Sequence, residues 1–260
     1  MTKIDFAPTA MDAVPTLASF KASLSSPIDS FLEDHIAQSV FYRIVIDDVD
    51  AGHFAIHEST LLTQFHLVGQ HRRQGSPLMA QIKRDISIQS AFVPTCDEFF
   101  LSHAVEDYAR LEKQACLFVE ADGAWPAVNE AVHYRPAQAS DADAIEAMCG
   151  DFLDRYGERI AGGQLHAGHI GDEIVALGVI ERSTMFPGQA SIGMFTRESR
   201  RQQAIGTSTI VYLRRVCHAE GLRPIAGCWY FNHASRKTLE AAGMTTPTRM
   251  LRFSFGELTE

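Results

Sequence analysis

From Tyr134 to Phe255 the apolar positions switch repeatedly between the strand period and the helix period. Tyr134-Arg135-Pro136-Ala137 followed by Ser140-Asp141 reads as a strand, a turn and a helix N-cap. Ile145, Met148, Cys149, Phe152, Leu153 and Tyr156 then share one face of a single predicted helix. Gln164 to Ile170 and Ile174 to Glu181 are predicted strands, with Gly171-Asp172 as a hairpin turn between them. Ala190 to Thr196 is the next strand. In the helix that follows, Ile210, Leu213 and Cys217 lie on one side and Gly221 stands at the C′ position. A strand from Pro224 to Tyr230 and a helix opened by Asn232 come next. Met250 to Phe255 alternates like a half-buried terminal strand.

The first half is less regular. Met1 to Ser26, rich in Ala, Ser, Thr and Pro, is expected to be a flexible arm (1–26). Ile28, Phe31, Leu32 and Ile36 predict a helix after Pro27. Phe54 to His57 and Leu61 to Val68 are predicted strands. Leu101, Val105, Tyr108 and Ala115 predict a further helix, with a strand from Cys116 to Val119. Asp122-Gly123-Ala124-Trp125-Pro126 reads as a linker. The expected division is therefore the arm, an α/β region at 27–125 and a second domain at 126–260. Arg72-Arg73-Gln74-Gly75 is echoed by Arg200-Arg201-Gln202-Gln203, and Ser102-His103-Ala104 by Asn232-His233-Ala234, in the same order. The echo reads either as a degenerate copy of the later domain or as chance similarity in an unrelated α/β cap. Pro77 would interrupt a helix there unless it sat in the first turn, so the earlier loop is not expected to hold a cofactor.

Chemistry concentrates between Ile192 and Gly243. A strand, the basic turn Arg197-Glu198-Ser199-Arg200-Arg201-Gln202-Gln203-Ala204-Ile205-Gly206-Thr207 and a helix start supply free backbone N–H groups and a positive dipole end. Those are the two things a phosphate anion needs. Arg201-Gln-Gln-Ala204-Ile-Gly206 is similar to the phosphate loop of the GNAT superfamily of acyl-CoA-dependent N-acyltransferases, and Asn232, Ser235 and Gly243 resemble its second signature. The resemblance spans roughly residues 130 to 256 and implies an α+β fold with a mixed sheet. It makes the N-terminal region, on one of the two readings above, a degenerate GNAT-like copy.

The resemblance also implies a site. Acetyl-CoA is the co-substrate, held by Met194, Phe195, Thr196, Arg201, Gln202, Gln203, Ala204, Ile205, Gly206, Thr207, Asn232 and Ser235. Pantetheine would add to a splayed strand edge at Ile192–Thr196, with an N–H near Met194 polarising the thioester carbonyl. Three positions depart from the pattern. Ala204 replaces a glycine and sets a Cβ toward the phosphates; restoring glycine is expected to cost a little stability through chain entropy. Leu239 stands where many members carry an acidic Tyr, which leaves Tyr230 or water to protonate the thiolate, and Met244 replaces an aromatic. No carboxylate lies on Ala190–Thr196, so Glu181 and His166 are the candidates for general base. Trp229 is expected in the core, as are Cys217 and Cys228. His166 and His169 point to opposite faces of their strand, and no metal site is expected.

Composition narrows the class. A net charge of −9 argues against nucleic-acid binding and favours a cationic amine as partner. No apolar run reaches membrane-spanning length and no secretory signal opens the chain. The five scattered cysteines fit reduced thiols in the cytoplasm. Three readings remain: an N-acetyltransferase acting on a small or exposed amine, by direct attack in a ternary complex; a non-catalytic acyl-CoA-binding regulatory module; or, if the loop is only a helix cap, a structural domain that binds no cofactor. The acceptor and the oligomeric state are not readable from the sequence.

Overall fold

The computed structural model describes residues 3–256. The chain divides into two compact units, one reaching to Cys116 and resuming at Thr248, the other spanning Leu117–Pro247. In the first, β1 (Ile4–Thr9), α1 (Leu17–Ser23), α2 (Ser30–Ala37), β2 (Val40–Ile46), β3 (Val49–His57) and β4 (Leu61–Leu67) lead to α3 (Gly75–Asp85). β5 (Ser90–Pro94), α4 (Glu98–Ala104) and β6 (Arg110–Glu120) complete it. β1 to β4 pair antiparallel in sequence order, and β5 joins β4 in parallel.

The second unit repeats the order. β7 (His133–Pro136), α5 (Ala142–Cys149), α6 (Tyr156–Ala161), β8 (Leu165–Ile170), β9 (Glu173–Arg182) and β10 (Gln189–Thr196) precede α7 (Ile205–Ala219). β11 (Arg223–Trp229), α8 (His233–Ala241) and β12 (Met244–Ser254) follow. Strands β7 to β10 are antiparallel neighbours and β11 is parallel to β10. Residues of β6 and β12 fall in both units, and Met250–Ser254 pair with β5. The order strand, two helices, three strands, helix, strand, helix, strand thus runs twice.

Helices cover the strands in each unit. In the first unit, Leu78, Met79 and Ile82 of α3 and Phe100 of α4 pack against Phe54, Phe65 and Leu67. In the second, Ile145, Tyr156 and Ile160 of α5 and α6 cover Leu165, Leu177 and Val179. On the opposite face α7 presses so close that a Cβ on Gly178 would meet Leu213 at 2.8 Å. No helix among the described residues is long and apolar enough to cross a membrane.

Several expectations change. Residues 4–23 are not a loose arm: β1 pairs with β2, and Phe20 of α1 is buried. The single helix expected through Tyr156 breaks at Gly150, whose φ of 56° leaves the helical region. The Tyr156 hydroxyl then secures the break, donating to Gly150 O and accepting from Leu153 N. The helix expected through Ala115 ends at Ala104, and strand β6 claims Ala115. β2 and β5 were not anticipated as strands.

Candidate functional site

The signature region of the second unit is built around a fork. β10 and β11 pair only at Gln189–Ser191 with Arg223–Ile225. Beyond Ser191 the two strands separate while β10 stays on β9 up to Thr196. Arg197 donates its N–H to Val175 O on the β9 side at 2.9 Å. Backbone groups of an antiparallel strand alternate in direction, so Phe195 and Gly193 also face β9, whereas Met194 and Thr196 face the fork. The Met194 N–H is therefore offered where β11 has withdrawn.

Past the fork, the turn before α7 is wound for anions. Gln202 and Ala204 have φ values of 64° and 57° among residues of ordinary handedness, an alternation that turns successive N–H groups into a common concavity. Among the described residues, no backbone carbonyl accepts from the N–H groups of Gln202 through Thr207. The loop is braced by Asn129, whose Nδ2 donates to Gln203 O at 3.0 Å while its N–H donates to Ser208 Oγ. Because a trans peptide points its C=O and N–H in opposite directions, this contact turns the Ala204 N–H outward. Sequence reasoning missed Asn129, which lies in an irregular stretch with no periodic signal.

The positive φ at Ala204 overturns one expectation. An L residue in the left-handed region is strained by about 1–2 kcal/mol. Glycine at this position relieves that strain, so the expected cost of Ala204→Gly becomes a gain.

The side chains around the turn fit a phosphorylated thioester. Arg200 pairs with Glu173, and Arg197 is held by Glu173 and Ile174 O. Arg201 has its side chain 56% exposed and, among the described residues, meets only Glu198, at 3.6 Å, whereas Arg197 and Arg200 are both held by Glu173. Gly206 matters for lack of a side chain: a Cβ there would meet Thr238 Cγ2 at 3.1 Å, and Met194 Sδ and Thr196 Oγ1 at 3.3 Å. The Thr196 Oγ1 is shielded from solvent without a hydrogen-bond partner. Asn232 caps α8, its Oδ1 accepting from Ser235 N at 3.0 Å. Among the described residues no group of three or more His, Cys, Asp and Glu could hold a metal ion.

The catalytic candidates do not converge. Glu181 lies on the face covered by α5 and α6, where its Oε1 accepts from Arg159 at 2.7 Å. His166 lies on the α7 face, buried, with Nδ1 3.1 Å from the Tyr212 hydroxyl. Burial holds its pKa below the ordinary imidazole value. Tyr230, half-buried at the end of β11, packs edge-on against Phe231. Leu239 is buried. Trp229, expected in the core, is 59% exposed. Cys217 is buried and Cys228 half-buried.

The first unit carries the matching fork but not the matching turn. β4 and β5 pair only at Leu61–Leu62 with Ser90–Ala91. The turn Gly69–Gln74 is a tight 3-10 helix that runs into α3, with the Gly75 N–H donating to Arg72 O. Pro77 sits in the first turn of α3, where its missing N–H does no harm. The mouth of α3 is filled from within: a Cβ on Gly75 would lie 2.1 Å from the His103 ring, and Ser76 Oγ donates to Glu106 Oε1 at 2.8 Å.

Comparison with known proteins agrees with this architecture. Residues 11–121 match the family model described as an acetyltransferase (GNAT) domain. The fold resembles an acetyltransferase of the GNAT family from Colwellia psychrerythraea, with a TM-score of 0.84 at 17% identity over 98% of this chain and 100% of the other. It also resembles a GCN5-related N-acetyltransferase from Sphaerobacter thermophilus (0.67, 13% identity, 96% and 94% covered). A tandem GNAT protein from the clavulanic acid pathway superposes with a TM-score of 0.61 at 13% identity, over 98% and 100% of the two chains. No curated protein sequence matches the chain. Residues 11–121 thus match a GNAT acetyltransferase domain, and the same element order runs through both units of a fold shared with GNAT acetyltransferases.

Proposed function

We propose that this chain is a tandem GNAT protein whose second unit transfers an acetyl group from acetyl-CoA to a primary amine. The observation that carries the proposal is the fork between β10 and β11, with the Met194 N–H facing into it and an unpaired N–H turn beyond it. Bound acetyl-CoA supplies an activated acyl group and a thiol leaving group. Gln203 to Thr207 and Arg201 would hold its pyrophosphate, and Asn232 and the edge of Met194–Thr196 its pantetheine arm. The Met194 N–H is aimed to polarise the thioester carbonyl, as an oxyanion donor must be. To the cofactor Phe195 would contribute only backbone, since its side chain packs toward α5 and α6. Tyr230, at the mouth of the fork, would protonate the departing thiolate. The amine would be deprotonated by water, because Arg159 already occupies the Glu181 carboxylate and Tyr212 covers His166. The five free cysteines favour the reducing cytoplasm as the compartment.

A second reading draws on that same scarcity of bases: a module that binds acyl-CoA and transfers nothing. Thiol release from acetyl-CoA, followed across a panel of primary amines, decides between the two. Amine-dependent release supports the enzyme. Tight acetyl-CoA binding with no release from any amine rejects it in favour of the module.

A further inference from the structure

The open side of the fork has a shape of its own. In parallel strands, residues at matching levels beyond a pair project to the same face. Ser191 pairs with Ile225, so Gly193 and Gly227 stand level two residues on, and Phe195 and Trp229 level two residues beyond those. All six project toward the α5 and α6 side. The first level thus has no side chain on either strand, and the next has an aromatic ring on each. Phe152, between α5 and α6, extends the β10 rim with its ring 5.4 Å from Phe195. Phe231 extends the β11 rim with its ring 5.1 Å from Trp229. Phe152, Trp229 and Phe231 expose 37%, 59% and 52% of their surface, a large aromatic area for a monomer to leave in water.

We infer that this is the acceptor groove, and that it takes a primary amine joined to a flat ring by a short chain of two or three carbons. The inference rests on the second unit being the acetyl-transferring one. The floor at Gly193 and Gly227 is bare on the level next to the Met194 N–H, so an amine can reach a carbonyl polarised there. The rims at Phe195 and Trp229 lie roughly 6–7 Å further out, at about 3.3 Å per residue. That is the reach of a two- or three-carbon spacer plus half a ring. Aromatic surfaces on both sides of a gap favour a planar ring over an aliphatic chain. The net charge of −9 suits a cationic amine in approach.

The test is the steady-state kcat/KM for 2-phenylethylamine and for butylamine at saturating acetyl-CoA, each expressed per neutral amine because the aryl amine is the weaker base, with thiol release as the signal. The parent is expected to prefer the aryl amine by about tenfold or more. Trp229→Ala and Phe152→Ala, one from each rim, should each bring the ratio down toward one. A parent ratio near one, or a ratio unchanged in both variants, overturns the groove. So does a Trp229→Ala protein that loses acetyl-CoA affinity at an unchanged ratio, since Trp229 would then serve the cofactor. If no amine releases thiol, calorimetric binding of the same two amines to the coenzyme A complex separates the two claims. Ring-selective binding lost in Trp229→Ala upholds the groove while acetyl transfer fails; binding without ring selectivity rejects the groove.

Discussion

Two anchors allow the units to be compared residue by residue. Val68 after β4 donates to Ala51 O on β3, just as Arg197 after β10 donates to Val175 O on β9. Asp97 caps α4 by accepting from Phe100 N, as Asn232 caps α8. Counting back from these anchors, Gly193 and Phe195 correspond to Gln64 and His66, and Gly227 and Trp229 to Phe92 and Pro94. Where the second unit is bare and open, the first is filled: Gln64, His66 and Phe92 are all buried. The phosphate turns differ the same way, with free N–H groups before α7 and a Glu106 carboxylate and His103 ring at the mouth of α3. The element order runs twice, and on the function proposed above room for a ligand is kept once. On that proposal the family match to residues 11–121 falls on the unit without the site.

The largest effect that tests this contrast is at Tyr230. If its hydroxyl protonates the thiolate, Tyr230→Phe should lower kcat by roughly 10²–10⁴ with acetyl-CoA affinity nearly intact. An equal kcat in the two proteins assigns that proton to water.

Acid should weaken the first unit next. Burial pushes His53 down to about 3 and His66 to about 4, so both stay neutral in the folded first unit while the unfolded chain protonates near 6.5. Their contribution is present above pH 6.5 and is lost as pH falls toward 4. Asp97, raised to about 7 by burial, works in the opposite sense over that window, since the folded state holds its proton longer. Two histidines against one carboxyl leave a net uptake of about one proton on unfolding, so stability falls on the order of 1 kcal/mol per pH unit. Amide exchange at pH 6.5 and 4.5 should show protection in the first unit falling with acid; protection unchanged or raised at pH 4.5 would refute the balance.

A matched pair of arginines sharpens the turn assignment. Arg201→Ala should weaken acetyl-CoA by about 1–3 kcal/mol, as loss of a charge-assisted contact does. Arg73→Ala, on the turn of the first unit, should leave affinity where it was. Equal losses in a calorimetric titration would mean that both turns bind.

How much of this was legible in the sequence follows from how local each signal is. The turn at Arg201–Thr207, the hairpin at Gly171 and the cap at Asn232 are short contiguous patterns, and the structure has them in place. The repeat was half visible: Arg72–Gly75 does occupy the turn before α3. Ser102-His103-Ala104, however, falls at the end of α4, whose cap is Asp97. The glycine floor and aromatic rims were hidden, because pairing Gly193 with Gly227 requires the register of two strands separated by a helix. Trp229 read as core for the same reason, since composition does not reveal that its strand ends at an open fork.

The smallest prediction concerns Ala204. Relief of its left-handed backbone should make Ala204→Gly more stable by about 1 kcal/mol, with acetyl-CoA bound as tightly or more so. Thermal melts with and without the ligand check both halves; a lower Tm without ligand would contradict the strain.

The central claim, one working cofactor site in two copies of a fold, is tested most directly by a crystal structure of the chain grown with excess acetyl-CoA. One molecule per chain is predicted, its pyrophosphate on the N–H groups of Gln203–Thr207 and its thioester by Met194. Acetyl-CoA at the start of α3 in the first unit, alone or alongside the other site, would contradict it.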